Sequence, residues 1–122
     1  MKHWISLGAF LGALTVALGA FGAHALKTRL TPEELAWWNT SVQYHGAHSL
    51  ALVLFGVFAQ RSRVSDFAGW SFTVGIALFC GSLYAMALGA PRWLGAVTPF
   101  GGVALIAAWL FFAVAAWRAR ES

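Results

Sequence analysis

Apolar and polar positions along this chain separate into long blocks. Trp4–Ala23, Thr40–Ala59, Phe67–Leu88 and Pro99–Trp117 contain no Asp, Glu, Lys or Arg; all eight basic and four acidic residues fall between or beyond them. Each block is about 20 residues, the length of α-helix that crosses a hydrocarbon layer roughly 30 Å thick. The pattern predicts an all-α, integral membrane four-helix bundle. In a chain of 122 residues nothing remains long enough to bury a soluble core, so residues 1–122 form a single four-span domain.

The punctuation between blocks agrees. Thr31-Pro32-Glu33-Glu34 is a helix start, with a threonine cap, proline at the first helical position and acids in the first turn. No breaker follows before Arg61, which predicts a helix of about 29 residues, roughly 43 Å long. Its first turns must stand in the headgroup zone or tilt along it, a setting that suits Trp37 and Trp38. Trp4, Trp70, Trp93 and Trp117 also lie near span ends. Arg61–Asp66 is a polar turn, Gly89-Ala90-Pro91-Arg92 breaks the third helix, and Thr98-Pro99 opens the fourth with threonine as cap. Connections this short predict antiparallel neighbours and an up-down arrangement.

Small residues mark the faces on which these helices meet. Gly8, Gly12, Thr15, Gly19 and Gly22 share one side of the first helix, where close backbone approach is expected against another span or a second copy of the chain. Ser71, Gly75, Ser82, Ala85 and Gly89 do the same on the third helix, and Gly101, Ala104, Ala108 and Ala115 on the fourth.

Composition narrows the function classes. The chain is 60% hydrophobic and 10% charged, against roughly a quarter charged in soluble domains. Its net charge of +4 is scattered over span ends with no basic stripe, which argues against nucleic acid. Lys2, Arg61, Arg63, Arg118 and Arg120 share one side of a four-span protein and Lys27, Arg29 and Arg92 the other; five against three favours cytoplasmic termini. Lys2, the apolar run and Ala23-His24-Ala25 also resemble a secretory signal, but the run exceeds the roughly 7–15 residues of a signal core. Cys80, the single cysteine, has no thiol partner and is expected as a buried apolar-like group.

Counting back from Ala59 puts Gln43, His45 and His48 inside the membrane, in the half away from the termini. His24, Ser82, Tyr84 and Thr98 fall at the same depth on the other helices. Three readings of this polar layer compete. It is a hydrogen-bonded lock on helix register, a pocket for a lipid headgroup, quinone or other small amphiphile, or a metal or haem site using His24, His45 and His48. The third is short of ligands: no carboxylate or second thiol accompanies the histidines. No span carries an acid, and no nucleophile–base arrangement is legible, which argues against intramembrane catalysis and a proton-driven carrier.

Four blocks then carry a resemblance: Gly19-Ala20-Phe21-Gly22-Ala23-His24-Ala25-Leu26-Lys27, Gln43-Tyr44-His45-Gly46-Ala47-His48-Ser49-Leu50-Ala51-Leu52, Phe79-Cys80-Gly81-Ser82-Leu83-Tyr84 and Thr98-Pro99-Phe100-Gly101-Gly102. Together they resemble the YgdD-type family of small bacterial inner-membrane proteins, domain-of-unknown-function family 423. The family pattern falls on His24, Lys27, Gln43, His48, Gly81, Ser82, Tyr84, Thr98, Pro99, Gly101 and Gly102, and leaves His45 outside. It implies a four-span inner-membrane protein and no reaction. The expectation is a non-enzymatic component without cofactor, in contact with membrane lipids and associating with itself or a larger membrane complex. The alternative is a binding or permeation module lined by the polar layer.

Overall fold

Thr31 opens the longest helix through a reciprocal cap. Its hydroxyl accepts from the Glu34 backbone N–H at 3.1 Å, and Glu34 Oε1 accepts from the Thr31 N–H at 2.9 Å, so two donors that a helix start leaves bare are satisfied. The computed structural model describes residues 3–121. Among these, four helices are long and apolar enough to span a bilayer: α1 (Trp4–Leu26), α2 (Pro32–Arg61), α3 (Phe67–Ala87) and α4 (Thr98–Glu121). Lys2, counted above for orientation, lies outside the described residues.

The expected spans hold, with shifted ends. α1 continues past Ala23 through a wide π turn, Gly22–Leu26, which tucks Leu26 into the interior. A second π turn, Ile76–Cys80, interrupts α3. Gly89 follows α3 with φ +105°, a conformation only glycine adopts freely. A short 3₁₀ turn, Arg92–Ala96, leads into α4. That helix begins at Thr98 itself, whose hydroxyl reaches across to Ser82 at 2.5 Å.

The helices alternate in direction. At the end bearing the termini, the Trp4 indole N–H donates to Asp66 Oδ1 at 2.9 Å and Phe67 packs on Phe111. At the opposite end Arg92 pairs with Glu33 at 2.6 Å and lies over the Trp37 ring. α2 and α3 form the centre; α1 packs chiefly on α2, and α4 chiefly on α3. Leu52, Phe55, Phe72, Ile76, Leu105 and Ala108 make up much of the buried core. Phe10 and Val16 on α1, with Val103, Ile106, Leu110 and Val114 on α4, face outward as a lipid-contacting surface should.

The small-residue seam of α1 is used inside the chain. A methyl group at Gly8 would lie 2.7 Å from Val53 and 2.9 Å from the Ser49 carbonyl oxygen; at Gly19 it would press on Val42, and at Gly22 it would collide with the Trp38 indole. Gly12 departs from the expectation: a methyl group there would meet nothing within 4 Å. At Gly8, Gly19 and Gly22 the seam therefore faces α2, while Gly12 is left open. On the other side, Gly101 abuts the Phe79 backbone, and Gly75 fits beneath Leu105.

Two tryptophans also depart from the interfacial role. Trp4 and Trp38 are 1% and 2% exposed. Trp4 fills the space left by Gly56 and Gly69, and Trp38 that left by Gly22. Each indole N–H has a partner in the chain, as a buried donor requires: Asp66 for Trp4, and the Leu18 carbonyl at 2.9 Å for Trp38.

Candidate functional site: the interhelical polar layer

Ser41, His45, His48 and Ser49 project from one face of α2, at steps of four, three and one, and all are buried. Spacing of that kind holds a side chain on the same side of a helix for successive turns. The Ser41 hydroxyl donates to the Cys80 carbonyl at 2.9 Å, within the π turn of α3. His45 Nδ1 is 2.9 Å from the Tyr84 hydroxyl, and the Trp38 ring packs on Tyr84 at 4.7 Å between centroids. Thr15 donates from α1 to the Val42 carbonyl at 3.0 Å.

His48 has a defined proton. Its Nδ1 lies 2.8 Å from the Tyr44 carbonyl, which can only accept, so Nδ1 carries the hydrogen. Nε2 then has the free lone pair, and the Trp109 indole N–H donates to it at 2.9 Å. Both ring nitrogens of this neutral imidazole are committed inside the chain. A metal at Nε2 would have to displace Trp109, and a proton there would set two donors against each other.

Each neighbouring helix pair is joined in this way: α1 to α2 through Thr15 and Trp38, α2 to α3 through Ser41 and His45, α2 to α4 through His48, and α3 to α4 through Ser82–Thr98 and Ser71, which donates to the Ala104 carbonyl at 2.6 Å. Such bonds fix the rotation and height of helices that apolar packing alone would let slide.

Not all of the expected layer converges. Ser82, Tyr84 and Thr98 join it with His48, whereas His24 and Gln43 are exposed at the bundle surface. His24 sits in the π turn that ends α1, and Gln43 lies two residues from Ser41, on the far side of α2. Neither makes a side-chain hydrogen bond among the described residues. The converse case is His45, set apart by the family pattern yet 3% exposed and bonded to Tyr84. Its Nε2 is buried without a hydrogen-bond partner among the described residues. Thr15, Ser41 and Trp109 were not in the expected layer either. The signal for Ser41 was its place one turn before His45; Trp109 in mid-span, away from any interface, was the signal for an indole N–H that needs a partner within the bundle. Cys80 is buried as expected. Among the described residues no three of His, Cys, Asp and Glu come together as a metal-binding group.

Comparison with known proteins adds the following. The family described as protein of unknown function DUF423 matches residues 18–102. UPF0382 membrane protein YwdK of Bacillus subtilis is 44% identical over 95% of this chain and 97% of its own length. UPF0382 inner membrane protein YgdD of Escherichia coli is 41% identical over 98% and 93%. A UPF0382 membrane protein of Staphylococcus haemolyticus is 39% identical over 97% and 98%. No solved structure matches.

Proposed function

The chain belongs to the DUF423 family of membrane proteins of unknown function, and from that premise we propose that it is a non-enzymatic inner-membrane component that associates with itself or with a larger membrane complex through the outward side of α2. The observation that carries this is Gln43. Its amide is exposed on the outer surface of α2 and has no partner among the described residues. The neighbouring Val42 packs on Gly19 and takes the Thr15 hydrogen bond, well within the length of α1, so Gln43 stands at hydrocarbon depth. A polar side chain at that depth is expected to meet protein rather than lipid.

The buried polar groups serve the same reading as a lock. His48, Ser82 and Thr98 hold hydrogen bonds to neighbouring helices, which leaves them poorly placed to line a pocket. Most of the α1 seam is taken up by α2, at Gly8, Gly19 and Gly22. Both termini are assigned to the cytoplasm, on the side of Arg61, Arg63, Arg118 and Arg120.

A native mass spectrum of the full-length protein, extracted with its own lipid, tests the association. A fixed oligomer or complex that Gln43→Leu reduces to single chains is expected. Single chains for both proteins would overturn the reading, as would an extra small-molecule mass lost on His48→Ala, which returns the layer to a pocket.

A further inference from the structure

Three arginines meet at the end of the bundle remote from the polar layer. Arg61 and Arg63 come from the α2–α3 turn and Arg118 from the last turns of α4, and they border one groove of about 760 Å3 whose floor includes Phe111, Val114 and Ala115. That volume lies within the roughly 300–1,000 Å3 of small-molecule sites. No acidic residue lines the groove. Among the described residues none of the three guanidinium groups is paired with a carboxylate. Arg120, two residues along, lies over the Trp117 ring at 4.7 Å and marks the depth of the membrane interface.

The geometry points to a binding site for an anionic phospholipid, its phosphate held by Arg61, Arg63 and Arg118 and its acyl chains lying along Phe111 and Val114. Guanidinium groups match phosphate oxygens two at a time, and a basic hollow at a span end is where a membrane protein meets lipid headgroups. Ordinary span-flanking arginines scatter around the bundle; here residues about 55 positions apart in sequence face one hollow. The walls separate a lipid from free phosphate. Phe111 and Val114 are 52% and 50% exposed on the outward face of α4, so the groove opens toward hydrocarbon, and only a ligand with chains gains from that face. This site is independent of any association through Gln43.

The test uses full-length protein, delipidated in a non-ionic detergent and titrated separately with phosphatidylglycerol, cardiolipin and phosphatidylcholine, with bound lipids counted by native mass spectrometry. One anionic lipid per chain is expected at concentrations where phosphatidylcholine is absent. Arg63→Gln/Arg118→Gln should weaken it at least tenfold, a few-fold per charge at a lipid surface. Lys27→Gln/Arg29→Gln removes the same charge at the opposite end and should leave binding within twofold. Equal losses in the two double variants would reduce the effect to net charge and overturn the site. Equal binding of phosphatidylcholine, or displacement by millimolar inorganic phosphate, would overturn it as well. Circular dichroism of both variants confirms that helix content is retained.

Discussion

At the scale of single residues, the lone pair on His48 Nε2 is the most consequential assignment. Trp109→Phe keeps the ring and removes the donor, leaving that lone pair bare in the interior. Interhelical hydrogen bonds of this type contribute about 0.6 kcal/mol on average and up to ~2 kcal/mol. Trp109→Phe and His48→Ala should each lower stability toward denaturing detergent, and the double variant should cost less than the two together if the bond is the shared cause. Cys80 offers a second check. At 1% exposure its thiol should resist a membrane-permeant maleimide in the folded protein and label once the bundle is unfolded; rapid labelling of the native protein would contradict the packing around Phe72 and Ile76. The sequence located polar residues well in depth and poorly in azimuth. Counting from span ends set His24, Gln43 and His48 in one half of the bundle, without saying which way each side chain faces. Only the face of α2, read through Ser41, His45, His48 and Leu52, separates inward His45 from outward Gln43, and the π turn in α1 rotates His24 away in a manner no fixed helical period anticipates.

At the scale of elements, close approach of backbones decides which helices touch. Gly8 and Gly12 form one motif in the sequence, yet only Gly8 has α2 against it. Gly8→Leu should therefore cost about 1–3 kcal/mol, the usual range for overpacking, or separate α1 from α2 outright. Gly12→Leu should be tolerated within experimental error. Thermal unfolding of both in one detergent compares them directly, and equal effects would mean that the seam packs elsewhere. The Thr31 start of α2 was legible because capping is local chemistry, settled within four residues. Trp4 and Trp38 were not, because their burial depends on glycines at Gly56, Gly69 and Gly22, on other helices. Rings near span ends resemble interfacial anchors until the hollow that receives them is known.

At the scale of the molecule, four spans and up-down alternation followed directly from where charge is forbidden, which is why the architecture was the most legible feature of the chain. An even number of spans places both termini on one side, the side proposed above to be cytoplasmic. Reporter tags fused to either end should both be inaccessible to protease in intact cells; accessibility of either would invert the assignment. What charge patterning could not reveal is the unequal standing of the four helices, with α2 and α3 central and α1 and α4 on the flanks. That inequality has a bearing on biosynthesis. Each helix after the first leaves the ribosome with a docking partner already in the bilayer: α2 closes on the waiting glycines of α1, α3 on α2, and α4 on α3. No span has to be threaded between two that have already joined, so the bundle can be completed in the order in which it is translated, with the His48–Trp109 bond among the last contacts to form.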